Sequence, residues 1–101
     1  MSRDVKLVSV KKSHRPEKKW NFTFKNKKTG STFTTSIGAS GYQDYTQHHN
    51  KTRRKHYLFR HKKDLKTGDP TKAGFLSYYV LWGQSTSFKD NLAAYKKRFH
   101  L

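Results

Sequence analysis

The sequence predicts an α+β fold, with a small three-stranded antiparallel sheet in the N-terminal half and about three helices in the C-terminal half, packed on one face of the sheet. Two patterns and one break carry this reading. Apolar residues alternate with polar ones up to Ile37 and recur at helical spacing after Asn50, and Gly38-Ala39-Ser40-Gly41 separates the two regimes. A period of two marks a half-buried strand and a period near 3.6 a helix. Strands in a run followed by helices in a run build an α+β layer rather than alternating βαβ units.

Val5, Leu7 and Ser9 alternate with Lys6, Val8 and Val10, a short strand with both faces partly apolar. A turn around Ser13 to Glu17 contains Pro16. Trp20, Phe22 and Phe24 then fall on one face of Lys18 to Lys27, the clearest strand in the chain and an expected part of the core. Asn26 to Gly30 reads as a turn, because glycine tolerates positive φ and an asparagine side chain folds back onto nearby amides. Phe33, Thr35 and Ile37 alternate again, which completes a hairpin and, with the first strand, a meander.

Tyr42 to His49 has no clean period. Asn50 is the expected N-cap of a helix over Lys51 to Lys63, with Arg54, Tyr57, Leu58 and His61 on its inner face. Asp69-Pro70 is the expected start of the next helix, with Ala73, Leu76, Ser77, Val80 and Leu81 inward, Phe75 and Trp82 in the core, and Gly83 as the stop. Ser87 to Asp90 resembles a capping box and opens a third helix, in which Phe88, Leu92, Tyr95 and Phe99 share one face. Neither a repeat nor a linker interrupts the chain, so a single domain is expected over residues 1–101.

The 101 residues carry 23 Lys+Arg against 6 Asp+Glu, a formal charge of +17. Cysteine is absent, which excludes disulfide scaffolds, thiol nucleophiles and Cys-ligated metal sites and permits a reducing compartment. No apolar run reaches the roughly 18 residues of a membrane span, and the interrupted run at Val5 to Val10 is no secretory core, so neither secretion nor membrane insertion is expected. The aliphatic content is as low as that of many disordered chains, but 15% aromatic residues can supply a core in its place.

The candidate site is the acid-free run His48 to Lys63, with seven Lys/Arg and four His. A solvated helix face normally mixes charge signs, and this one does not. Lys51, Arg53, Arg54, Lys55, Arg60, Lys62 and Lys63 are therefore the expected polyanion-binding residues, arginines forking onto phosphate oxygens and lysines acting as point charges. A run of this kind also reads as a nuclear-localisation signal. Lys96, Lys97 and Arg98 form a second cluster, suited to binding or to complementing the dipole of their own helix. Tyr42, Tyr45, Tyr78 and Tyr79 are open to two readings, base stacking and core packing. His48-His49-Asn50 lacks the spacing of a ββα-metal nuclease site, and His56 and His61 lie about 140° apart around a helix, too far to share a metal. No acid pair, nucleophilic triad or phosphate loop appears, so no catalytic residue, metal or cofactor is expected.

Six spaced blocks, Gly41 to His48 with Arg53 to Tyr57, Arg60 to Lys63, Asp69-Pro70, Ala73 to Ser77, Leu81-Trp82 and Tyr95 to Phe99, resemble a family of small basic proteins encoded by nucleocytoplasmic large DNA viruses. The resemblance runs from about Lys18 to Phe99. It departs at Gly83 to Ser87, where the family has a proline-containing loop. It implies a large DNA virus with a protein shell and supplies no catalytic residues. Two functions then stand side by side. One is a non-enzymatic structural virion protein, a minor capsid or cement-type component. The other is a sequence-independent DNA-binding or packaging protein. The expected partners are other virion proteins, nucleic acid or both, with no small-molecule substrate, in the virion and in host cytoplasm or nucleus during assembly.

Overall fold

Strand β2, Lys18–Asn26, lies at the centre of the sheet, and its three aromatic residues set which face is buried. It pairs antiparallel with β1, Val5–Lys12, on one side and β3, Thr32–Ala39, on the other. A computed structural model describes residues 4–101; the first three residues of the domain expected over 1–101 lie outside the described residues. Across the three strands Leu7, Phe24 and Phe33 align, as do Val10, Phe22 and Thr35, and Trp20 faces Ile37. The register of β1 shifts between Leu7 and Ser9, a bulge at Val8. One extra residue reverses the parity of a strand. The bulge thus lets Leu7 and Val10 both face the core, which accounts for the two-faced apolar pattern of this strand. Asn26 closes the β2–β3 turn as expected, its Oδ1 accepting from the amides of Lys28 and Thr29 at 2.9 and 3.2 Å, with Gly30 at φ +77°.

Helix α1, Tyr45–His48, occupies the segment without a clean period. A complete capping box makes it: the buried Asp44 side chain accepts from its first turn while Gln47 Oε1 accepts from the Asp44 amide at 3.0 Å. Helix α2, Lys51–His61, starts at the expected cap, with Asn50 Oδ1 accepting from the Arg53 amide at 3.1 Å, and runs on as a 3₁₀ helix over Lys62–Thr67.

The second expected helix starts later than Asp69-Pro70 suggests. The Asp69 carboxylate accepts from the amide and hydroxyl of Thr71 at 2.9 and 2.7 Å, an Asx turn that diverts the cap. Helix α3, Ala73–Leu76, begins beyond it without a side-chain cap, and Ala73 is exposed rather than inward. The chain continues as one π-helical stretch, Ser77–Leu81, whose wider turn ends with the Trp82 amide on the Ser77 carbonyl at 3.0 Å. Gly83 stops it as expected. Helix α4, Phe88–Phe99, is capped by Ser87, whose Oγ accepts from the Asp90 amide at 3.2 Å.

Leu7, Phe22, Phe24 and Ile37 from the sheet meet Tyr45, Phe75, Leu76, Val80, Leu81, Trp82 and Tyr95 in one core. Trp20 completes the seam by stacking on Phe88 at 4.4 Å. Each fully buried ring or aliphatic chain removes enough apolar surface to stabilise the fold by roughly 1.5–3 kcal/mol. Among the described residues, eleven buried apolar and aromatic side chains answer the low aliphatic content. No helix among the described residues is long and apolar enough to cross a membrane.

Candidate anion-binding surface

Helix α2 contributes no fully buried residue, so every side chain it carries is at least partly accessible. Its first turn contains no acid, and Lys51 and Arg53 stand there against the positive end of the helix dipole. The six acids of the chain are elsewhere. Among the described residues four of them form ion pairs: Asp4 with Lys28, Glu17 with Arg15, Asp44 with Lys19 and Asp64 with His61. None of these pairs involves Lys51, Arg53, Lys55, Arg60, Lys62 or Lys63. Their mutual repulsion is left to solvent screening and to whatever anion the surface meets.

The helix divides the predicted cluster into three faces, as 100° per residue requires. Arg54, Tyr57, Leu58 and His61 turn inward, each half-buried, as the periodicity predicts. Arg54 is held there: its Nε donates to the Trp82 and Gly83 carbonyls at 3.1 and 2.8 Å, and its guanidinium lies 5.5 Å from the centre of the Tyr45 ring. It therefore fastens α2 to the end of the π-helical stretch, and its forked donors are partly spent.

Arg53, His56 and Arg60 form a second face, which lines a cleft of about 510 Å³ between α2, the Lys18–Lys19 end of β2 and the loop at Tyr42. Tyr57 and Trp82 also line it. Both Lys18 and Lys19 are half-buried, and Lys19 donates to Asp44 and Gln47 at 2.9 and 2.6 Å. The third face is the outer one. Lys51, Thr52, Lys55, Phe59, Lys62 and Lys63 point away from the domain, and Phe59 is 84% exposed.

Lys96, Lys97 and Arg98 occupy the last turn of α4, all exposed, where cations favour the negative end of the dipole. Arg98 lies over the Tyr79 ring at 4.8 Å, beside a groove of about 410 Å³ that Arg54 and Leu58 border from the α2 side. The C-terminal cluster is thus separated from the outer face of α2 by that groove.

Of the tyrosines with two readings, Tyr45 is buried, Tyr78 and Tyr79 are half-buried among rings, and Tyr42 stands 76% exposed at the cleft. His48 packs against Trp82 and Tyr45, and its Nδ1 accepts from the Asn50 amide at 2.9 Å. Burial, reinforced by the nearby Arg53 charge, holds its pKa below the ordinary 6.5. Among the described residues no three His, Asp or Glu side chains gather as a metal-ligand set.

Periodicity could not see the pairing of Arg53 and Arg60 with Lys18 and Tyr42, which are distant in sequence and meet only through folding. One local signal for that wall was available, the Asp44-x-x-Gln47 capping box that forms α1.

These features define a small α+β protein organised around an acid-free cationic helix. Its sequence places it in a family: residues 8–61, just over half of the chain, match the model described as "Family of unknown function (DUF5754)", and the chain belongs to that family. No match is found among curated proteins or among solved structures. The matched span takes in the sheet from Val8 onward, α1 and α2, and therefore Arg53, His56 and Arg60 of the cleft and Lys51, Lys55 and Phe59 of the outer face, but not Lys62 and Lys63.

Proposed function

We propose that the protein is a non-enzymatic structural component of the particle of a large double-stranded DNA virus, a minor capsid or cement-type protein that docks through the outer face of α2. The observation that carries this reading is Phe59, an 84% exposed ring set among Lys55, Lys62 and Lys63. The phosphate backbone of a duplex, whose bases are stacked inside, rewards lysines and gains little from a phenylalanine among them. A protein surface with an apolar socket and an acidic rim uses both, since interfaces join a buried aromatic anchor to a charged surround. The viral setting rests on the resemblance of the spaced blocks, and the acid-free charge supports an acidic neighbour.

The test is rebinding of purified protein to isolated virion shells freed of it. Phe59→Ser is expected to weaken rebinding at least tenfold at any salt concentration. Lys55→Glu with Lys62→Glu and Lys63→Glu should weaken it further, with the loss shrinking as salt rises. Duplex DNA should compete poorly. Full competition by duplex DNA, together with indifference to Phe59→Ser, contradicts docking and favours the genome-packaging reading.

A further inference from the structure

The cleft beside α2 has a composition that the outer-face docking does not use. Arg53 and Arg60 stand two helical turns apart on one wall, about 10 Å along the axis, with His56 between them. Lys18 and Lys19 belong to the wall formed by the sheet. The only acid in the lining is Asp44, and it is already committed to Lys19 at 2.9 Å and to capping α1. Like charges that converge on one cavity repel each other unless an anion lies between them. The arginine forks match phosphate oxygens better than any other common anion except a carboxylate.

A second feature selects between those two. Tyr42 stands at the cleft 76% exposed, and no ring among the described residues stacks on it, although nearly every other aromatic side chain in the helical half packs against a neighbour. An exposed ring beside paired cations offers a planar ligand a stacking surface, which is how sequence-tolerant single-strand binders hold bases. A polycarboxylate without apolar or aromatic side chains gains nothing from such a ring. The cavity, about 510 Å³, is also the size of a small-ligand pocket.

We infer that this cleft binds a nucleotide unit, its phosphate held by Arg53, Arg60 and Lys18 and its base stacked on Tyr42. The ligand is a phosphate joined to a planar ring. It can arrive as a free nucleotide or as an unpaired unit of a single strand, whereas a stacked duplex keeps its bases from Tyr42. The site shares no side chain with the outer docking face, so each stands or falls alone.

The experiment measures binding of the full chain to a fluorescent single-stranded oligonucleotide, to a nucleoside triphosphate, to inorganic triphosphate and to a poly-glutamate peptide. Arg53→Glu with Arg60→Glu is compared with Lys62→Glu and Lys63→Glu, which change the charge equally outside the cleft. The cleft variant is expected to lose at least ten times more affinity for the oligonucleotide than the outer variant. Tyr42→Ala should lose roughly five- to a hundredfold for base-bearing ligands, the range of one base stack, and leave inorganic triphosphate unchanged. A strand preferred over the triphosphate assigns the site to nucleic acid, and equal affinity assigns it to free nucleotides. Photocross-linking of a halogenated-uracil oligonucleotide to the unmodified protein should map to Tyr42. Equal losses in the two charge variants, indifference to Tyr42→Ala, cross-links confined to the outer face of α2, or equally tight poly-glutamate binding would each overturn the assignment.

Discussion

Tyr57 lies face to face with Trp82, the ring centroids 4.1 Å apart and the planes 4° from parallel. His61 continues the stack beyond Tyr57 at 4.2 Å. Because α2 buries no side chain completely, this stack is a main seam between the basic helix and the core. Tyr57→Ala should cost about 2–4 kcal/mol of stability in urea unfolding, somewhat below a fully buried aromatic truncation. Burial also pushes the Tyr57 phenol up to about 12, aided by the Asp64 charge. In an alkaline absorbance titration this phenol should therefore ionise after the exposed ones, and the late component should shrink by one tyrosine in Tyr57→Phe.

Arg54 and Lys55 are neighbours with opposite duties. Arg54 donates to two backbone carbonyls, whereas Lys55 is exposed and forms no ion pair among the described residues. Arg54→Ala should lower stability by about 1.5–3 kcal/mol, the value of a charge-assisted hydrogen bond. Lys55→Ala should stay within about 0.5 kcal/mol and weaken shell rebinding instead. Urea denaturation paired with the rebinding assay separates the two.

His48 makes stability depend on pH in a defined direction. Its Nδ1 accepts from a backbone amide, so the neutral ring carries its proton on Nε2, which is buried without a hydrogen-bond partner. Its folded pKa is lowered from 6.5, first by desolvation, then by Arg53. The unfolded chain therefore takes up the proton first as the solution acidifies. The stabilisation is complete above about pH 6.5 and is lost as pH falls from there toward the folded pKa. Thermal melts from pH 7.5 to 5.5 should show a decline in Tm that is shallower in His48→Gln.

Gly83 is required by crowding rather than by φ. A Cβ there would collide with the Tyr79 carbonyl oxygen and lie 2.7 Å from the Asn91 amide group, which holds the Val80 and Ser85 carbonyls at 2.9 and 2.7 Å. Gly83→Ala should cost about 2–3 kcal/mol or more, as overpacking does. Gly41→Ala, with nothing within 4 Å, should be nearly neutral. Melting the two variants side by side checks the contrast.

The sheet was legible because Trp20, Phe22 and Phe24 alternate without interruption and Asn26 and Gly30 punctuate their turn. The Val8 bulge was visible only as an apolar residue on each side of β1, which periodicity alone could not resolve. Asp69-Pro70 misled because an Asx turn and a helix cap use the same carboxylate, and Thr71 supplied the nearer donors. The π-helical stretch leaves no mark in the apolar spacing of Leu76 to Leu81. At the site the composition of α2 was legible and its division into faces partly so. Arg54 lay on the predicted inner face, yet what holds it there, the Trp82 and Gly83 carbonyls, comes from a distant segment. The partnership of Arg53 and Arg60 with Lys18 and Tyr42 is purely tertiary.

Docking on the viral shell is tested most directly by disrupting purified virions and separating shell fragments from the nucleoid. The protein is expected with the shell fragments, and Phe59→Ser particles should contain markedly less of it. Recovery with the nucleoid alone, at levels unchanged by Phe59→Ser, would contradict the assignment.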